Sequence, residues 1–187
     1  MASKIKSVCL FCGSSNAADP AFLEGAAEFG RQLAQARVRL VYGGGGVGLM
    51  GAAAKACQSA GGRVLGIMPE FLRTREVLYD EVETVVVHSM HERKALMFAE
   101  SDGFVVMPGG VGTLEEIVEL LSWRRLDLHR KPTVFVNLNG FWDPFYAFMQ
   151  HTVDARLTPE WVMGAWRSVD RVQDVLPALQ SPMPTPV

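Results

Sequence analysis

Three stretches of the chain hold side chains whose types and spacing could do chemistry. The first is Ser89-Met90-His91-Glu92-Arg93-Lys94. Ser89-x-x-Glu92 matches a capping box, so a helix starts here. Arg93 and Lys94 then fall in its first turn, where the helix dipole disfavours positive charge. Solvent, an anionic ligand or a buried carboxylate partner would each account for the two cations, and His91 reads as a surface residue of that turn. The second stretch is Met107-Pro108-Gly109-Gly110-Val111-Gly112-Thr113-Leu114-Glu115-Glu116, a strand running through a glycine turn into a helix. Backbone amides of Gly110, Val111, Gly112 and Thr113 can converge there on an anion, helped by the helix dipole. Thr113-x-x-Glu116 also matches a capping box, so spacing alone leaves anion cradle and structural helix start level. No Gly-Lys-Ser/Thr follows the glycines, which argues against a Walker-type nucleoside triphosphatase.

The third stretch is Val41-Tyr42-Gly43-Gly44-Gly45-Gly46-Val47-Gly48-Leu49-Met50-Gly51. Gly46, Gly48 and Gly51 fit the G-x-G-x-x-G dinucleotide fingerprint. The acidic residue expected about 20 positions later would be Glu70, which follows Pro69 and fits poorly. A tight turn with some ligand contact is the better reading, with pure packing or a dinucleotide site as alternatives. Cys9 and Cys12 form a C-x-x-C on the first expected strand, where their Cα atoms stand ~10 Å apart with side chains on opposite faces. That is too far to bridge, and no second Cys or Cys/His pair completes a zinc site, so all three cysteines read as structural and no metal is expected.

Elements that position these stretches alternate along the chain. Strands are expected at residues 5–11, 38–42, 63–68, 82–88, 103–107 and 133–137. Helices are expected from Asp19-Pro20 onward, at 47–60, 90–100 and 114–128, from Asp143-Pro144, and at 172–179 with a bend at Pro177. Alternation of this kind predicts an α/β, modified Rossmann architecture: a mostly parallel sheet with helices on both faces. Ligands then bind beyond the carboxyl ends of the strands, where all three stretches lie. One domain over residues 1–180 is expected, with a proline-rich tail at 181–187. The 187 residues are 49% hydrophobic and 20% charged, with a net charge of −2. This composition excludes an intrinsically disordered chain, and without basic runs it makes nucleic acid and membrane surfaces poor partners. No targeting or membrane-spanning segment is visible, so a soluble protein of the reducing cytoplasm is expected. Phe141, Trp142, Phe145, Tyr146 and Phe148 are too dense for one helix face to bury, which points to a partner copy.

Met90-His91-Glu92-Arg93-Lys94-Ala95 together with Pro108-Gly109-Gly110-Val111-Gly112-Thr113-Leu114-Glu115-Glu116 resembles the LONELY GUY (LOG) family, whose motif is P-G-G-x-G-T-x-x-E preceded by a helix carrying an Arg-Lys pair. The similarity runs from Cys12-Gly13-Ser14-Ser15 through the Gly43–Gly51 stretch to Ser122-Trp123, and takes in Lys131-Pro132 and Asn139-Gly140-Phe141. The resemblance implies a cytokinin riboside 5′-monophosphate phosphoribohydrolase, a type often mislabelled lysine decarboxylase. It implies a catalytic pair in Arg93 and Glu116, and a homodimer. It places nucleotide contacts at Glu76, Lys94, Gly110, Val111, Gly112, Thr113, Leu114, Glu115 and Ser122, where plant relatives usually carry threonine. Ser14, Gly44 and Gly45, on the shared loops, are further candidate substrate contacts.

Releasing a base from a nucleoside 5′-monophosphate passes through an oxocarbenium-like state. A phosphate cradle fixes one end of the substrate, and a carboxylate stabilises the developing charge and activates water. Glu116 fits that part. Arg93 fits ribose positioning or holding Glu116 ionised, since an always-charged guanidinium is a poor proton donor. No cofactor is required. A pyridoxal phosphate enzyme would need a Schiff-base lysine, and Lys4, Lys6, Lys55, Lys94 and Lys131 suggest none. The alternative is a non-catalytic nucleotide- or cofactor-binding carrier on the same fold, which would not need the Arg93 and Glu116 pair. A dinucleotide oxidoreductase ranks third.

Overall fold

The first strand, β1 (Ser7–Phe11), is buried at all five positions, as expected of a strand covered on both faces. In the computed structural model, which describes residues 5–73 and 79–181, it lies near the middle of a seven-stranded sheet. The expected nucleotide contact Glu76 and residues 182–187 of the tail lie outside the described residues. The other strands are β2 (Arg39–Tyr42), β3 (Val64–Pro69), β4 (Glu83–Val87), β5 (Gly103–Val106), β6 (Thr133–Val136) and β7 (Arg167–Val169). They run in the order β4-β3-β2-β1-β5-β6-β7, and every pairing is parallel. The three-residue edge strand β7 has no hydrophobic alternation, and sequence reading missed it.

Alternating side chains of the strands feed two cores. Val8, Leu10, Leu40 and Tyr42 pack under helices α1 (Pro20–Gln35), α2 (Gly48–Ser59) and α6 (Val175–Gln180). Cys9, Phe11, Val41 and Phe104 pack on the other side under α3 (Met90–Ala99), α4 (Val111–Arg125) and α5 (Asp143–Asp154). Cys9 and Cys12 fall into opposite cores and all three cysteines are buried and free, as their spacing requires. Each large apolar side chain so buried contributes roughly 1.5–3 kcal/mol. The aromatic cluster is divided between core and surface. Trp142 packs edge-on against Phe135, Phe145 stacks on Phe135 and Tyr146 on Trp166, while Phe141 is part-exposed and Phe148 largely exposed. The wrap of α5 and the Glu160–Gly164 turn around Phe135 makes this possible, a tertiary arrangement that helical spacing does not show.

Two helix boundaries differ from expectation for identifiable reasons. The last helix divides into a 3-10 turn at Val172–Asp174 and α6, so the break precedes Pro177. Pro177 is the third residue of α6, where its missing N–H is not needed. Helix α4 begins at Val111, three residues earlier than expected, with Gly110 as N-cap and no side-chain cap hydrogen bond. Thr113 therefore lies inside the first turn and cannot cap it. The capping explanation for Glu116 is thereby removed.

Candidate active site

The sheet reverses direction of build between β1 and β5, the topological switch point of this architecture. The loops leaving those strands are joined by the Gly13 amide, which donates to the Pro108 carbonyl at 2.9 Å. Above them opens a cleft of about 490 Å³, lined by Cys12, Gly13, Ser14, Ser15, Gly43, Arg93, Pro108, Gly109, Gly110, Val111, Gly112, Thr113 and Glu116. Phe22, Leu49, Met50, Met97 and Phe141 supply an apolar side to the same cleft, with Phe22 and Phe141 meeting edge to face at 5.5 Å. Its volume suits a small-molecule ligand.

Glycine loop and helix start meet differently at the two glycine-rich junctions. At α4 the amides of Val111, Gly112 and Thr113 are the helix's unbonded N–H groups, while Leu114 already donates to the Gly110 carbonyl at 3.0 Å. Three donors thus face the cleft with the positive end of the helix dipole behind them. The Leu114 amide, expected among the nucleotide contacts, is spent inside the helix. At α2 the corresponding donors are taken by the protein itself. Gly48 N donates to Asn16 Oδ1 at 2.8 Å and Leu49 N to the Gly13 carbonyl at 3.0 Å. The G-x-G-x-x-G match is therefore a packing device with no free amides for a phosphate. Gly48 has φ +61° and a Cβ there would run into the backbone of Ser14, so the glycine is required by the close approach of two loops.

The paired cations of α3 have separate fates. The helix starts as its capping box predicts: Glu92 N donates to Ser89 Oγ at 3.1 Å, and the Glu92 carboxylate accepts from His88 N at 2.7 Å. Lys94 points away from the cleft and bonds both Glu115 and Glu119 of α4, the latter at 2.9 Å. Burial pulls the Lys94 ammonium down, but the two carboxylates outweigh it and its pKa is raised. Arg93 points inward and is only 6% exposed. Its Nη2 donates to the Gly43 carbonyl at 3.1 Å, and its Nη1 lies 3.8 Å from Met90 Sδ. Its Nε is buried without a hydrogen-bond partner, and no carboxylate pairs with it among the described residues. A buried guanidinium left this way is costly unless a ligand anion or polar group completes it.

Glu116 projects into the cleft from the second turn of α4, four residues and about 6 Å of helix rise beyond Gly112. Burial pushes the Cys9 thiol well up; the Glu116 carboxylate adds to that and Arg93 opposes it, so both charges act at one place. Cys12 is raised in the same way by burial and by Glu116, and forms a neutral wall of the cleft.

Of the sequence-predicted site residues, the structure brings together Ser14, Arg93, Gly110, Val111, Gly112, Thr113 and Glu116 in one cleft. Gly44 and Gly45 are buried beside it, and Gly44 packs on Met68. Lys94, Leu114, Glu115 and Ser122 do not line it. Ser122 is exposed on α4, more than two turns beyond the first helical residue. Sequence reasoning missed Gly43, Phe22 and Phe141 as parts of the site. Only Gly43 carried a signal, its place at a strand-to-helix junction.

A family model described as "Possible lysine decarboxylase" matches residues 50–179. A cytokinin riboside 5′-monophosphate phosphoribohydrolase of Arabidopsis thaliana is 42% identical over 153 residues, covering 81% of this chain and 70% of the relative. A probable enzyme of the same name from Oryza sativa subsp. japonica is 45% identical over 152 residues, covering 81% and 67%. Among solved structures, the molybdenum cofactor carrier protein of Chlamydomonas reinhardtii superposes with a TM-score of 0.71 at 22% identity, covering 94% of this chain and 96% of that one. The molybdenum cofactor binding protein of Rippkaea orientalis gives 0.68 at 21% identity, covering 94% and 95%. Those two likenesses speak to the modified Rossmann fold alone. With a family model over residues 50–179 and relatives above 40% identity, the chain belongs to the LONELY GUY (LOG) family of phosphoribohydrolases.

Proposed function

We propose that the protein hydrolyses the N-glycosidic bond of adenine-type nucleoside 5′-monophosphates, cytokinin riboside monophosphates or AMP, to free base and ribose 5-phosphate. One observation carries the reading: a buried, incompletely partnered Arg93 shares a cleft with three unbonded helix amides and a carboxylate. The amides of Val111, Gly112 and Thr113 receive the 5′-phosphate. The rise along α4 then sets Glu116 about one ribose away, beside the anomeric carbon. Its carboxylate stabilises positive charge on the sugar and takes a proton from the attacking water as the new C–O bond forms. The glycosidic electron pair leaves with the base, which takes up one proton from solvent and is released neutral while Glu116 returns its own to solvent. Arg93 holds the ribose and keeps Glu116 ionised. The base lies against Phe22, Leu49, Met50 and Phe141.

The decarboxylase description finds no support in the lysines. Among the described residues no lysine lines the cleft, Lys94 is held by two glutamates, and Lys55 and Lys131 donate to the carbonyls of Gly46 and Phe98. Chromatography of AMP and isopentenyladenosine monophosphate, each incubated with the protein, tests the proposal. Free base should appear from at least one of them. A carrier would return both nucleotides intact, and a phosphatase would yield the nucleosides; either result refutes the reading.

The proposal extends to a cytoplasmic homodimer, consistent with three free cysteines. Its support has moved from the aromatic cluster to α4, whose outer face exposes Val111 (85%), Leu114 (37%) and Val118 (53%), with Leu126 beyond them. Glu115 and Ser122 share that face, outside their own cleft. Light scattering should report about twice the 20.5 kDa chain mass, and Val118→Asp should shift it toward monomer. A wild-type mass of one chain at micromolar concentration would contradict the dimer.

A further inference from the structure

We infer that Gly43 is a positioning residue for Arg93, so that the glycine loop after β2 serves the reaction by holding the arginine instead of by binding phosphate. Gly43 lines the cleft and its carbonyl accepts from Arg93 Nη2 at 3.1 Å, across fifty residues of sequence. A Cβ built at Gly43 would fall on Arg93 Nη2, far inside the 3.0 Å that real Cβ atoms respect, and would touch Cζ as well. The other near atom, Met50 Sδ, stands at a tolerable 3.3 Å. No backbone atom obstructs the site, and Gly43 is not among the glycines with positive φ. Alanine is therefore admissible to the backbone, and the clash falls on one movable group, the guanidinium. Among the described residues that guanidinium has the Gly43 carbonyl and the Met90 sulfur for partners, so nothing else fixes its tip. Displacing it also shifts the buried, unpartnered Nε of the same guanidinium. Meanwhile the amides of Val111, Gly112 and Thr113 stay where they are.

The inference rests on the proposed hydrolase reading for its catalytic consequence, and on geometry alone for the position of Arg93. A four-membered cycle of wild type, Gly43→Ala, Arg93→Lys and the double variant separates the two. Gly43→Ala should melt close to wild type and keep its KM for AMP within a few-fold, while kcat falls by about 10²-fold, as a misplacement of order 1 Å can cause. Lysine lacks Nη2, so the clash disappears and the double variant should match Arg93→Lys. In nitrogen–proton NMR spectra the Arg93 Nε–H resonance, identified by its loss in Arg93→Lys, should move in Gly43→Ala. An equal loss of kcat from Gly43→Ala in both backgrounds, or an unmoved Nε resonance, would overturn the inference. If the wild type releases no base from either AMP or isopentenyladenosine monophosphate, the hydrolase reading falls, and the resonance alone then decides whether Gly43 sets the guanidinium.

Discussion

Glu116→Gln should yield a protein that folds, melts within a few degrees of wild type, binds AMP and turns it over about 10²–10⁴-fold more slowly. Glutamine preserves the size of the side chain and its ability to accept a hydrogen bond, but carries neither charge nor a proton-accepting oxygen of useful basicity. Loss of charge stabilisation at the oxocarbenium-like centre adds to loss of the base. The helix start does not depend on Glu116, because α4 begins at Val111 with Gly110 as its cap, so a lost cap does not account for the lost turnover. Glu115→Gln is the internal control. That carboxylate is half-exposed, pairs with Lys94 and lies outside the cleft, so its removal should affect chemistry far less. Arg93→Ala should resemble Glu116→Gln, and the double variant should be little worse than either if the pair acts as a unit. Turnover by Glu116→Gln above about a tenth of wild type, short of the least that general-base loss costs, would show that the carboxylate is not the base.

Adenosine should be cleaved with kcat/KM lower than AMP by about 10²–10⁴-fold. The estimate takes the net loss as two of the three charge-assisted amide–phosphate hydrogen bonds at about 1.5–3 kcal/mol each, where 1.4 kcal/mol is a factor of ten. The donors are the α4 amides of Val111, Gly112 and Thr113, oriented by the fold before any ligand arrives. Because phosphate binding holds the anomeric carbon against Glu116, its loss should appear in kcat as well as KM. Inorganic phosphate should inhibit competitively against AMP. Equal efficiency on nucleoside and nucleotide would remove the cradle from the account.

The fold was legible because strands and helices alternate along most of the chain, the strands at 63–68 and 82–88 having no expected helix between them, and parallel order follows from that alternation. Arg93 and Glu116 entered as a pair through the resemblance to the LOG family: local spacing left Arg93 open between solvent, an anionic ligand and a carboxylate partner, and left Glu116 level between helix cap and cradle. What escaped was set by tertiary contact. The helix at residue 111 starts through glycine, since its first turn needs no internal N–H bonds, and propensity placed the boundary after Thr113. The two glycine loops look alike in sequence, and they differ because Asn16 and the Gly13 carbonyl occupy one set of amides. Arg93 and Lys94 are adjacent yet part, one into the cleft and one onto Glu115 and Glu119, which only the rotation of α3 decides. Phe141 reaches the cleft beside Phe22 from more than a hundred residues away.

The central claim is that this cleft breaks the bond between base and ribose. Its most direct test is a time course with AMP and isopentenyladenosine monophosphate, run in parallel with wild type and Glu116→Gln, with base and ribose 5-phosphate quantified in each sample. The account predicts equal molar amounts of the two products from wild type on at least one of the nucleotides, and almost none from the variant. Intact nucleotide after prolonged incubation with wild type, or equal product from both proteins, would contradict it.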